Sequence, residues 1–171
     1  MTAKPFVFVS VGTDPQPFDR LLREIDRLIE VGIIKELVFG QTGYSVYQMQ
    51  RAQSVPFLDP IDFQEKIRQA EWLILHGGAG GIGLAMQYHK KCIVVPRLAR
   101  FGEHANDHQL ELVQALEKGG FILASYNINE IEKQIQKLPN WKPAGFSSAK
   151  TVLVILDEFV QKNNFKELKE F

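Results

Sequence analysis

The chain has one cysteine, Cys92, among 171 residues. A lone thiol excludes an internal disulfide framework. Its place in the apolar run Cys92-Ile93-Val94-Val95 reads as a buried side chain that packs like a small hydrophobe. Net charge is also missing, since Lys plus Arg and Asp plus Glu number 20 each. Binding to free nucleic acid usually shows as a basic excess, so nothing here points to it. Near-zero charge gives little colloidal repulsion, which suits a chain that works inside a complex. No apolar run approaches the roughly 20 residues of a membrane span. The first apolar run, ending at Gly12, is too short and too early for a secretory signal. A cytoplasmic location is therefore expected. Internal repeats and low-complexity segments are absent as well.

Composition is otherwise ordinary for a soluble globular chain, with 45% hydrophobic and 23% charged residues. The length suits one domain with a full core, expected over residues 1–162 with a tail over 163–171. Short apolar runs alternate with amphipathic stretches. Strands are expected at Phe6–Val11, Leu37–Phe39, Val55–Leu58, Trp72–Leu75, Ile93–Val95 and Phe121–Leu123. A helix follows Pro17, with Phe18, Leu21, Leu22, Ile25, Leu28 and Ile29 on one face. A short helix is expected over Val46–Arg51. Asp59-Pro60 supplies a cap and a favourable proline for the next helix, with Ile61, Ile67 and Ala70 facing inward. Further helices are expected over about 81–89, 105–118 and 127–137, with Gly119-Gly120 as a stop. Leu138–Phe146 reads as a loop, and a last helix as running over about 147–162. Such alternation predicts a Rossmann-like, doubly wound α/β fold: a parallel sheet of about six strands with helices on both faces.

The most informative segment is Leu73-Ile74-Leu75-His76-Gly77-Gly78-Ala79-Gly80-Gly81-Ile82-Gly83. An apolar strand stops at a histidine, a glycine-rich turn follows, and apolar residues resume as a helix. Glycine lets backbone N–H groups approach a ligand closely, and a helix N-terminus adds partial positive charge. The turn suits a phosphate or diphosphate, although a tight strand-to-helix corner has the same composition. In an open α/β sheet the ligand lies beyond the carboxyl ends of the strands. There Gly12-Thr13-Asp14, Gly40-Gln41-Thr42-Gly43, His76–Gly81 and Arg97–Gln109 are expected to converge. A dinucleotide-dependent oxidoreductase would show G-x-G-x-x-G after the first strand; Gly12-Thr13-Asp14-Pro15 does not match it.

Three separated motifs carry a family resemblance. Val11-Gly12-Thr13 with Pro17-Phe18-Asp19-Arg20-Leu21 resembles the opening of Alg13-like proteins and of bacterial exopolysaccharide glycosyltransferase subunits. His76-Gly77-Gly78-Ala79-Gly80 is similar to their HxGxG loop. Val94-Val95-Pro96-Arg97, Gly102-Glu103-His104 and Asn106-Asp107-His108-Gln109-Leu110 resemble the bacterial branch. The resemblance is to a glycosyltransferase family 28 C-terminal domain. It implies the C-terminal half of a two-domain (GT-B) transferase related to MurG, the half that binds a nucleotide-sugar donor. It also implies a separate, membrane-anchored Alg14-like partner carrying the acceptor site. Together they would move a sugar from a UDP-sugar to a lipid-diphosphate-linked saccharide during exopolysaccharide or capsule synthesis. No bound metal is implied, and the chain alone is expected to bind donor but transfer poorly. A self-associated form is also compatible with the family.

The resemblance assigns roles, each beside a plainer reading of the same residues. Gly12, Thr13, Gly77, Gly78, Ala79 and Gly80 would hold the donor diphosphate; Gly12 and Thr13 also fit a capped turn. His76 would stabilise the leaving diphosphate as a neutral donor or a cation, or simply end a strand. Asp107, Gln109 and Glu103 would read sugar hydroxyls, an amide and carboxylates being suited to a polyol. Alternatively Asn106 caps a helix and Asp107 meets its dipole. Arg97 and His104 would contact phosphate, sugar or partner, or form a charged surface loop. Gln41 and Thr42 would approach the nucleotide or the partner. Phe57 and Leu58 would lie along the base, or pack in the core. Related enzymes often carry an acidic residue near Leu84 to hold the ribose; an apolar residue stands here. That departure keeps open an alternative, a non-catalytic nucleotide-sugar-binding or stimulating subunit. The apolar content of the last helix and tail, up to Phe171, is expected to serve either the core or a partner.

Overall fold

The computed structural model describes residues 4–144, with Val154 and Asp157 beyond them. The strands β1 (Phe6–Ser10), β2 (Leu37–Gln41), β3 (Gln53–Val55), β4 (Trp72–His76), β5 (Lys91–Val95) and β6 (Leu123–Ala124) form one sheet. Their order is β3-β2-β1-β4-β5-β6, and every pairing is parallel. The helices are α1 (Asp19–Glu30), α2 (Pro60–Gln69), α3 (Ala79–Gln87), α4 (His108–Lys118) and α5 (Ile131–Lys137). This is the Rossmann-like α/β fold that the alternating pattern predicts.

Both faces of the sheet are covered, because successive side chains of a strand point to opposite faces. Val7, Val9, Ile74, Ile93 and Val95 pack with Phe18, Leu21, Leu22, Ile25 and Leu28 of the α1 region. Phe8, Leu73, Leu75, Cys92 and Val94 pack on the other face with Ile67, Ile82, Leu112 and Leu116. Burial pushes the Cys92 thiol above its ordinary pKa.

Strand order fixes where a ligand can enter. The chain builds from β1 outward to β2 and β3, then returns to the other side of β1 as β4. The loops leaving β1 and β4 therefore diverge and open a crevice beyond their carboxyl ends. Helices α1, α3 and α4 all begin at this edge.

Several expected boundaries shift. β1 ends at Ser10 and β2 runs on through Gln41. β3 is earlier than expected, so Phe57 and Leu58 lie beyond it. Helix α3 starts at Ala79, β6 is a two-residue strand starting at Leu123, and a 3-10 turn over Ile128–Glu130 precedes α5. Asp59 caps α2 by accepting from the Asp62 N–H, with Pro60 at the first helical position. Ile61 instead faces solvent, 76% exposed, while Ile67 and Ala70 are buried. The last helix expected over 147–162 and the tail lie outside the described residues, apart from Val154 and Asp157.

The segment Val46–Arg51 is not the expected helix. Its N–H groups go to carboxylates on α1 rather than to carbonyls one turn earlier. Asp19 Oδ1 accepts from Val46 and Tyr47 at 3.0 and 3.2 Å. Asp26 accepts from Gln50 and Arg51 at 2.6 and 3.2 Å, and from the Tyr47 hydroxyl at 2.8 Å. That hydroxyl bond raises the Tyr47 pKa. Replacing Asp26, 5% exposed, by Ala strands three donors. Asp26→Ala is expected to lower unfolding free energy by about 2–3 kcal/mol, read by urea denaturation; a loss below about 0.5 kcal/mol would show that these bonds do not hold the segment.

Candidate functional site

The site grows from the turn after β1. Gly12 has φ +82°, a region open to glycine and strained for other residues. Its N–H donates to the Ser10 hydroxyl at 3.2 Å, so this amide is engaged within the turn. Thr13 is exposed. Across the crevice, His76 ends β4 and turns its ring against both backbones. A Cβ on Gly12 would fall 2.4 Å from His76 Cε1, and one on Gly78 would fall 2.2 Å from His76 Nε2. The imidazole thus lies between two glycines at the point where the strand order reverses.

The ring is neutral. Burial pushes the His76 pKa from 6.5 down to about 3, and the Arg97 and His104 charges add to the effect while the backbone of Ser10 opposes it. Its Nδ1 is fully covered and has no hydrogen-bond partner among the described residues. Of the two forms expected from the resemblance, the free protein holds the uncharged one.

Beyond the ring, the glycine-rich turn becomes a helix N-terminus. Gly78 is the cap residue of α3 and has no side-chain cap bond. The first intrahelical bond runs from Ile82 N–H to the Gly78 carbonyl. The N–H groups of Ala79, Gly80 and Gly81 therefore lack helical acceptors. They lie at the positive end of α3, with no side chain beyond a methyl to obstruct approach. Gly77 differs: its N–H donates to Gln109 Oε1 at 3.1 Å.

Gln109, on the first turn of α4, also accepts from the Arg97 N–H at 3.1 Å. One carboxamide oxygen thus ties the turn after β4 to the turn after β5. Gln109 Nε2 has no protein acceptor among the described residues. Asp107 is exposed and accepts from the Ala99 N–H at 2.9 Å. Asn106 Oδ1 accepts from the His108 N–H at 3.1 Å, but Asn106 is not the cap considered for it: the cap position of α4 is Asp107, which makes no side-chain cap bond. His104 Nε2 lies 3.4 Å from Asp14, joining the turns after β5 and β1.

Glu103 and Arg97 are not on a solvated loop. Glu103 is 4% exposed; it accepts from Arg20 at 2.5 and 3.0 Å and from the Leu98 N–H at 3.1 Å. Arg97 is wholly buried. Its guanidinium donates to the carbonyls of Val11 at 3.1 and 2.7 Å, Gln16 at 2.6 Å and Glu103 at 2.9 Å. Gln41 is buried and bridges the Ser10 hydroxyl and the Leu58 N–H. Thr42 is buried and bonds the Val55 carbonyl. Leu58 is half-buried against the core, whereas Phe57 stays exposed in an edge-on pair with Tyr44, ring centres 5.0 Å apart. Leu84 is half-buried on the core edge, so no carboxylate stands there.

The structure therefore brings Gly12, His76, Gly77, Gly78, Gln109 and Arg97 into one contact network. It leaves Thr13, Asp107 and Phe57 exposed around that edge. Arg20, quoted only as part of a motif, emerges as the partner of Glu103; nothing local in the sequence marks a pair 83 residues apart. A depression of about 550 Å3 opens at the opposite edge, near the amino ends of β4 and β5. Its Lys90, Lys91 and Trp72 donors are held by Ala70, Leu138 and Glu36, so it offers no comparable set of free groups. Among the described residues, no group of three or more His, Cys, Asp or Glu could hold a metal ion, and no helix is long and apolar enough to cross a membrane.

Residues 6–170 match the family model described as glycosyltransferase family 28 C-terminal domain. No curated protein matches the chain. Among solved structures, MurG of Acinetobacter baumannii is similar with TM-score 0.58 and 14% identity, covering 92% of this chain and 51% of that one. The solution structure of ALG13 gives TM-score 0.56 and 12% identity, covering 91% of this chain and 96% of that one. The kitacinnamycin glycosyltransferase gives TM-score 0.58 and 14% identity, covering 95% of this chain and 39% of that one. At such identities the likeness carries the fold. The chain spans well under two thirds of MurG and of the kitacinnamycin enzyme, and nearly all of ALG13.

Two outcomes follow from the histidine. Gly78 has φ −83°, so Gly78→Ala strains no dihedral and acts only against the ring. It is expected to destabilise by about 1–3 kcal/mol, and His76→Ala in the same chain should relieve most of that loss. Additive effects in the double-mutant cycle would show that the ring does not occupy this space. The second outcome concerns pH. The unfolded chain binds a proton at His76 below pH 6.5 and the native chain does so only near 3, so stability falls as pH drops through that window. Between about pH 7.5 and pH 5, wild type should lose about 2 kcal/mol more than His76→Gln in urea denaturation. Equal losses would contradict a neutral, buried ring.

Proposed function

We propose that this chain, which belongs to the glycosyltransferase family 28 C-terminal domain family, binds the diphosphate of a UDP-sugar at the carboxyl edge of its sheet. The observation that carries the reading is the run of unaccepted N–H groups from Ala79 to Gly81 at the start of α3, beside the β1–β4 crevice. A sugar nucleotide departs as UDP, so negative charge grows on the diphosphate during transfer. Fixed amides and a helix N-terminus aimed at that charge stabilise it without reorganising. Thr13 and Gly78 are further diphosphate donors on this reading, while Gly12 and Gly77, whose N–H groups are held by Ser10 and Gln109, let the diphosphate approach closely because they lack side chains. His76 donates as a neutral imidazole. Gln109, through its free Nε2, and exposed Asp107 meet sugar hydroxyls. Glu103 acts by holding their loop. No metal is invoked, since amides and dipole take the charge.

The chain forms one wall of a cleft. The reading supplies the other wall from an Alg14-like, membrane-anchored partner that carries the general base and the lipid-diphosphate-linked acceptor. On this reading the transfer inverts the anomeric centre, which puts the base opposite the leaving group and so on the partner's side. The chain would then sit on the inner face of the plasma membrane through its partner and serve exopolysaccharide or capsule synthesis. The near-complete coverage of ALG13, set against partial coverage of MurG, supports a chain that supplies one half of such a site. Half-buried Leu84 favours a second reading, a subunit that binds or stimulates without catalysing.

Calorimetry with UDP- and GDP-sugars tests the donor, and transfer assays with and without the partner chain test catalysis. The expected result is UDP-sugar binding by this chain alone, with transfer only in the complex. His76→Ala is expected to lower kcat roughly hundredfold. Unchanged partner-dependent transfer in His76→Ala would remove the histidine from the mechanism. Binding of donor without any contribution to turnover would favour the second reading.

A further inference from the structure

Arg97 is a buried guanidinium whose hydrogen-bond acceptors are all carbonyl oxygens: Val11, Gln16 and Glu103. The Glu103 carboxylate is engaged elsewhere, on Arg20 and the Leu98 N–H. Asp14 and Glu103 reach Arg97 only through space, and burial outweighs them, lowering its pKa. Arginine nonetheless remains charged in proteins. Phe18 packs under both guanidiniums, with Arg20 and Arg97 at 5.0 and 5.1 Å from its ring centre. Two cations therefore share one fully buried ring, and the buried carboxylate in contact, Glu103, is paired with Arg20. Among the described residues no carboxylate is in salt-bridge contact with Arg97 itself, and part-exposed Asp14 and buried Glu103 offset its charge only through space.

That charge has a direction. It is felt at the His76 ring, where it disfavours protonation, and that ring touches Gly12 and Gly78. The field thus reaches the crevice between β1 and β4, and a buried charge is screened little by solvent or salt. Carbonyls can hold a guanidinium in place, yet they do not neutralise it.

We propose that Arg97 is a positioning residue of an anion site: its guanidinium fixes the Val11–Gln16 turn through carbonyl oxygens, and its buried charge is neutralised by the diphosphate of an incoming nucleotide. This rests on the donor site lying at the carboxyl edge. Lysine would keep the charge and lose the planar fork; glutamine would keep some hydrogen bonding and lose the charge. The two variants therefore separate charge from scaffolding.

The experiment is calorimetric titration of wild type, Arg97→Lys and Arg97→Gln with UDP and with uridine. Arg97→Gln is expected to weaken UDP binding by at least about tenfold while uridine affinity stays within about twofold. Arg97→Lys should recover most of the preference for UDP over uridine. A scaffolding role alone would weaken both ligands together, and an unchanged UDP-to-uridine ratio in Arg97→Gln overturns the inference. If wild type binds no UDP, the donor reading falls and this inference with it; if wild type binds and only the ratio is unchanged, this inference alone falls. A measurement on wild type covers variants that do not fold. The buried Arg97 Nε–H resonance should shift on adding UDP and not on adding uridine, and a resonance that ignores UDP likewise overturns the proposal.

Discussion

An imidazole occupies the space that two Cβ atoms would take at the place where the sheet reverses its order of growth. The other geometry of the carboxyl edge follows from that contact. Gly12 and Gly78 must lack side chains because His76 lies against both, and their lack of side chains in turn lets two turns from separate strands approach a common crevice. The ring stays uncharged because it is enclosed and faces the field of Arg97. A cation at that position would repel the guanidinium on which the neighbouring turn is built.

Around this contact the polar groups divide by task. Arg97 collects carbonyls, Gln109 collects N–H groups, and Glu103 holds Arg20. Each joins segments that are distant in the chain, so the turns after β1, β4 and β5 form one rigid rim. Among the described residues, the amides opening α3 and the Gln109 Nε2 beside them remain uncommitted. A rim that binds its own carbonyls inward and leaves amides free is suited to anions, and preorganisation of that sort lowers the cost of binding.

The fold was legible because its signals are local. Continuous apolar runs marked β1, β4 and β5, and Asp59-Pro60 marked the start of α2. The glycine-rich turn marked the end of β4 and the start of α3. The parts that were not legible depend on partners far along the chain. Val46–Arg51 has a helical pattern, yet Asp19 and Asp26 supply closer acceptors for its N–H groups. The burial of Arg97 and Glu103 is not legible in the sequence, because their partners are a backbone carbonyl 86 residues away and an arginine 83 residues away. Carbonyls carry no side-chain signature, so a buried arginine held by them leaves no trace in a motif. Ile61 was misplaced for a simpler reason, since α2 buries only a short stretch of one face around Ile67.

Cys92 carries a consequence of a different sort. It is the only cysteine in the chain, 1% exposed, in the middle of the sheet between β4 and β6. Enclosure keeps its sulfur protonated and out of reach of alkylating reagents. The molecule therefore contains an internal clock for its own opening: a thiol reagent in solution can label it only as fast as the central strands separate.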